Sequence, residues 1–136
     1  MAADLLVNID VDDLEKAVAF YSSALGLEPA RRFGTSAVEM VGSSSKIYLL
    51  VKAAHSNPLV SGHAKRSYAR HWTPVHIDFV VDDIDAAAAR ARAAGAKPEG
   101  EIARNSWGYL AMFADPFGNG FCLIEFRNRG YDEIAT

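Results

Sequence analysis

Two segments of this chain repeat one another, and that repeat limits the possible folds more than any other feature. Residues 9–14 read I-D-V-D-D-L and residues 79–84 read F-V-V-D-D-I, so Asp13 and Asp83 hold equivalent positions about half a chain apart. Each copy is a β-type run, an acidic helix start and an amphipathic helix ending on Gly26 or Gly95. A carboxylate at Asp13 or Asp83 can accept from the free N–H groups of a first helical turn, and glycine supplies the left-handed stop. Leu14, Val18, Tyr21 and Leu25 recur at helical spacing, as do Ile84, Ala88, Ala91 and Ala94. The alanine-rich second helix suits a close approach to a sheet.

Three β-type runs follow each helix: residues 29–33, 36–42 and 46–52, then 99–104, 109–114 and 120–127. Gly42-Ser43-Ser44 and Pro116-Phe117-Gly118-Asn119 read as turns between the last strand pairs. The pattern predicts an α+β chain of two tandem βαβββ modules in a single domain over residues 1–136. Module one spans about 4–52 and module two about 73–127, with a tail at 128–136. Residues 53–72 have weak periodicity and contain Asn57-Pro58 and Ser61-Gly62, which reads as a linker that doubles as a lid.

Composition narrows the function classes. The 136 residues are 50% hydrophobic with a formal net charge of −3, which suits an ordinary globular protein. Lys65, Arg66 and Arg70 make the nearest basic cluster, too small for phosphate-backbone binding, so no nucleic-acid partner is expected. No stretch approaches the ~20 apolar residues of a membrane span, and residues 1–4 lack the features of a signal peptide. Cys122 is the only cysteine, which excludes an intrachain disulfide and fits a cytoplasmic location.

Two motifs then carry a resemblance. Residues 11–27 read V-D-D-L-E-K-A-V-A-F-Y-S-S-A-L-G-L, and residues 107–126 read W-G-Y-L-A-M-F-A-D-P-F-G-N-G-F-C-L-I-E-F. Together with the duplication, they are similar to the glyoxalase/bleomycin-resistance/dioxygenase (vicinal oxygen chelate) superfamily. The resemblance implies sheets that curl around a barrel-like cavity with the helices outside, commonly in a homodimer. It also implies a divalent metal that chelates two neighbouring substrate oxygens.

The implied ligand places are the first strand of each module, seven residues before the capping Asp, the last strand of module one, and the Glu after the D-P-x-G-N turn. In this sequence they hold Leu6 and His76, Tyr48 and Glu125. Leu6 cannot coordinate, and a stable site generally needs three protein ligands. The expectation is therefore no cofactor, with a divalent metal on His76 and Glu125 as the alternative. Without metal, His76 and Glu125 are candidates for an acid–base dyad or for a hydrogen-bonded cavity pair.

Leu6, Asn8, Tyr48, Asp78, Trp107 and Tyr109 are the candidate ligand-binding positions. Trp107 and Tyr109 are placed either to stack on an aromatic ligand or for ordinary strand packing beside Gly108; Asp10, Asp78 and Glu125 facing inward would favour a cationic ligand, while Asp10 and Asp78 at a solvated rim would not. Strand alternation sets Cys122 against Glu125, and with Glu125 facing the cavity Cys122 becomes inert core on the helix side. His55, His63 and His71 lack metal spacing. The two functional readings are binding or sequestration of a small organic molecule, and a lyase, isomerase or dioxygenase-type enzyme using His76 and Glu125.

Overall fold

Asp13 and Asp83 begin their helices in the same way. Each has extended backbone (φ −138° for both), and each side chain accepts from the N–H three residues on, Lys16 and Ala86, at 3.1 Å. Helix α1 runs Leu14–Leu25 and α2 runs Ile84–Ala94. Gly26 (φ 68°) and Gly95 (φ 112°) close them in the left-handed region, where a side chain would be strained.

The computed structural model describes residues 2–136 as two compact units, residues 2–69 and 70–136. The first contains β1 (Val7–Val11), α1, β2 (Glu28–Phe33), β3 (Ala37–Val41) and β4 (Ile47–Val51). Its open sheet has the order β1-β4-β3-β2, with β1 parallel to β4 and the other pairs antiparallel. The α1 face of this sheet buries Val11, Val38, Met40, Ile47 and Leu49 under Leu14, Ala17, Phe20, Tyr21 and Ala24. Large apolar side chains contribute about 1.5–3 kcal/mol each when fully buried, so this layer holds the unit together. The buried stripe is centred on Ala17, Phe20 and Ala24; Val18 and Leu25, expected within it, are only half-buried. The exposed outer strand β2 carries Glu28, Arg31 and Arg32, charges that discourage edge-to-edge pairing.

The second unit repeats the plan with β5 (Ile77–Val80), α2, β6 (Lys97–Pro98), β7 (Ala103–Arg104), β8 (Gly108–Ala114) and β9 (Gly120–Phe126). Strand order is β5-β9-β8-β6, β7 also pairs with β8, and β5 is parallel to β9. The run expected over residues 99–104 is therefore two short strands rather than one. Pro98 lacks an N–H for the ladder and Gly100 turns to φ 100°, which separates β6 from β7. Between β8 and β9, Asp115 Oδ1 accepts from the N–H groups of Phe117 and Asn119, at 2.8 and 2.9 Å, so the D-P-F-G-N motif is a self-capped turn.

Residues 53–76 contain no helix or strand. In the first unit this segment is tied down by Arg66, which donates to Asp10 (2.8 Å) and to Ser56 Oγ (3.0 Å). The tail residues form a short 3-10 helix, Gly130–Glu133. Among the described residues no helix is long and apolar enough to cross a membrane.

Glu125 completes the second unit. Its Oε1 accepts from the buried N–H of Ile84 at 2.9 Å, satisfying a donor at the start of α2 that Asp83 does not reach. Its Oε2 accepts from Arg127 at 3.2 Å. Glu125→Ala should lower stability by about 1–3 kcal/mol, because the Ile84 N–H is left buried without its acceptor. In a urea titration, exposed Glu101→Ala serves as the reference and should change stability by less than ~0.5 kcal/mol.

Candidate functional site

Strand alternation divides each sheet into a face under the helix and an open face. In the second unit α2 packs on β8 and β9, and Ile84 receives Glu125, so Phe121, Leu123 and Glu125 take the helix side. Cys122 and Ile124 then take the face away from the helix, the open side for short, although both are themselves buried. The parallel register sets Asp78 beside Cys122, and Met112 lies beside Cys122 on its other flank.

His76, just before β5, completes a cluster on that face. Its Nε2 lies 3.2 Å from Asp78 Oδ1, and one donor atom each of His76, Asp78 and Cys122 lies within 4.8 Å of the others. The imidazole and carboxylate side chains are 58% and 37% exposed, while Cys122 is buried at 8%. Burial chiefly, with the negative charge of Asp78 adding, pushes the Cys122 thiol up to about 11.

The geometry separates the pair expected from the motif. Glu125 lies on the helix side, near the opposite end of β9 from His76. Counted along the register, that is roughly 16 Å of strand. The reason lies in the repeat itself. Asn8 and Asp78 stand at equal distances before their capping Asp, and their cross-strand partners are Tyr48 and Cys122. The position matching Tyr48 is therefore Cys122, three residues before Glu125. Alternation had placed these two residues on opposite faces correctly, but the faces are the reverse of those expected, because the helix start draws the carboxylate in.

The remaining candidates fall in different places. Leu6 is 58% exposed ahead of β1, and Asn8 lies on the open face of the first sheet next to Tyr48. Tyr48 donates to Glu39 Oε2 (2.9 Å), a buried carboxylate that also accepts from Arg31 Nη2 at 2.6 Å. Arg31 holds the Glu39 carboxyl down at about 2, and Glu39 raises the Tyr48 hydroxyl. Neither Glu39 nor Arg31 was singled out from the sequence, although a glutamate inside the apolar run A-V-E-M-V was the available signal.

Trp107 packs on Tyr131 of the tail, with ring centres 5.2 Å apart. Tyr109 lies between the guanidinium groups of Arg104 and Arg127, at 4.7 and 5.2 Å, on the Glu125 side of the sheet. Neither ring joins the His76 cluster. Asp10 is engaged by Arg66. A cavity of about 300 Å³ in the second unit is lined by Asp85, Arg92, Glu101, Arg104 and Met112 among others, and by none of the expected site residues.

The chemistry of the donors bears on a metal. Leu6 offers no lone pair and Tyr48 is committed to Glu39, so the first-unit places do not fit an ion. The second unit presents nitrogen, oxygen and sulfur donors from three residues, a combination that fits a borderline-soft divalent ion.

Two measurable consequences follow from these environments. The native Cys122 thiol should react with a disulfide reagent at pH 8 at least about tenfold more slowly than in denaturant, because little thiolate is present. Glu39, whose folded value lies below its ordinary 4.5, adds stability that is complete above that value and is lost as pH falls toward about 2. Urea melts between about pH 5 and pH 2 should show wild type losing its advantage over Glu39→Gln as the carboxyl protonates.

Solved structures share this architecture. FosX, a fosfomycin resistance protein from Listeria monocytogenes, is 19% identical with a TM-score of 0.71, over 99% of each chain. A lactoylglutathione lyase from Agrobacterium tumefaciens is 23% identical (TM-score 0.63; 92% of this chain, 94% of that one). A glyoxalase/bleomycin resistance protein from Albidiferax ferrireducens is 22% identical (TM-score 0.64; 88% and 94%). These identities speak for the fold alone. No curated protein matches the sequence. A family model, the glyoxalase-like domain, matches residues 6–124. With the duplicated βαβββ plan and the D-P-F-G-N turn, that match over most of the chain shows that it belongs to the glyoxalase-like domain family, within the vicinal oxygen chelate superfamily.

Proposed function

We propose that the chain binds a small organic molecule on the open face of its second sheet, as a binding or sequestering protein. The observation that carries this reading is the make-up of that face. Exposed Val80 (66%) follows Asp78 on the same face of β5, and Met112 (50%) lies across Cys122 from Asp78, so this face combines apolar area with the accessible His76–Asp78 pair that can orient a ligand. Single exposed apolar residues are ordinary, but two beside a polar pair on one sheet face make a mixed surface suited to recognition. Relatives named for resistance to fosfomycin and bleomycin lend the reading chemical direction.

The enzymatic alternative, an acid–base pair of His76 and Glu125, lacks support because Glu125 is engaged at the start of α2. Asp78, not Glu125, is the carboxylate that accompanies His76. A homodimer belongs to the same reading, since the family resemblance implies one and Leu5, Trp72 and Val75 leave apolar area exposed. Light scattering after size exclusion should give twice the chain mass.

The test is a thermal-shift and calorimetric screen with bleomycin-like cationic compounds and small phosphonates. At least one compound should raise the melting temperature, and Val80→Asp or Met112→Asp should weaken its binding by more than about tenfold, ~1.4 kcal/mol. A screen in which no compound binds, or in which binding survives both substitutions, overturns the reading.

A further inference from the structure

We propose that His76, Asp78 and Cys122 form a site for one borderline-soft divalent transition-metal ion, zinc-like in its preferences, with a coordination position left open. The proposal concerns the same sheet face as the ligand reading but does not depend on it, because the ion is bound by protein side chains alone.

The parallel pairing of β5 with β9 fixes Asp78 beside Cys122, and His76 reaches Asp78 from two residues upstream. One donor atom of each lies within 4.8 Å of the other two. Tetrahedral zinc, with bonds of ~2.0–2.3 Å, separates its donors by roughly 3.3–3.8 Å. Small side-chain rotations therefore bring three donors onto one ion, with no movement of the strands.

The sulfur is rooted in the sheet, whereas the imidazole and carboxylate are accessible above it. An ion held by the three has its fourth position toward the open side, where water or a ligand oxygen can enter. Three protein donors with one open position is the pattern of reactive rather than purely structural zinc.

Donor identity supplies selectivity. Magnesium and calcium call for oxygen donors, and magnesium gives up its waters reluctantly, so one carboxylate beside sulfur and imidazole serves either poorly. Thiolate and imidazole suit zinc and cobalt(II). Binding forms a metal–sulfur bond and breaks the S–H bond, with the proton passing to solvent, and it replaces the His76–Asp78 contact with two metal bonds.

The experiment is a titration of the chelator-treated full chain with cobalt(II), with no organic ligand present, so that its outcome is separate from that of the compound screen. The expected result is a sulfur-to-cobalt absorption band that saturates at one ion per chain. Zinc should abolish the band by displacement, and excess magnesium should leave it unchanged. Because Cys122 is the only cysteine, the decisive variants retain it. His76→Ala and Asp78→Asn alter accessible side chains, and each should weaken cobalt binding by more than about tenfold, the loss seen even for outer-shell partners. Melting curves of the metal-free variants check that they fold. Absence of the band in wild type, or undiminished affinity in both variants, overturns the site.

Discussion

The hydrogen bond from the Ile84 N–H to Glu125, together with the burial of Phe121 and Leu123 on the same face, fixes which way β9 faces. A strand can direct alternate side chains in only two ways, and a shift by one residue exchanges its faces. With Glu125 drawn to the start of α2, Phe121 and Leu123 lie beneath the helix as core, and Cys122 turns to the open side. A carboxylate is well suited to this position, because a helix N-terminus presents unsatisfied N–H groups and partial positive charge. The Glu125 carboxylate thus anchors the start of α2, and the opposite face of β9 carries Cys122 beside Asp78 and His76.

The two units show how a duplicated frame diverges without losing its shape. Both have a parallel first–last strand pair, the same Asp cap and the same glycine stop. On the open face of the first, Tyr48 and Glu39 are joined by Arg31 into a closed polar network whose hydrogen bonds are largely satisfied internally. At the matching position of the second, Cys122 lies next to Asp78 and His76, which remain accessible. One face spends its polar groups on itself and the other leaves them available.

Much of this architecture was legible in the sequence, because it depends on local rules. The Asp caps, the glycine stops, the D-P-F-G-N turn and the alternating strands each follow from a few neighbouring residues, and the repeat confirms them twice. The interruption between β6 and β7 was less visible, since Pro98 and Gly100 act on pairing with β8 rather than on periodicity. The site was the least legible. Alternation states that Cys122 and Glu125 oppose each other, but not which one faces the helix; that choice depends on a contact spanning 41 residues. The available signal was the repeat itself, in which Tyr48 and Cys122 hold matching registers. The surroundings of Trp107 and Tyr109 were hard to read for a related reason, because their partners, Tyr131 and the two arginines, come together only in the folded unit.

The proposed site lies on the face of His76, Asp78 and Cys122, away from Glu125. Anomalous diffraction at the zinc edge, from crystals grown with zinc, tests it most directly. The expected result is a peak bonded to the Cys122 sulfur and the His76 imidazole, with Glu125 still accepting from Ile84. A peak against Glu125, or a Cys122 sulfur lying beneath α2, would contradict it.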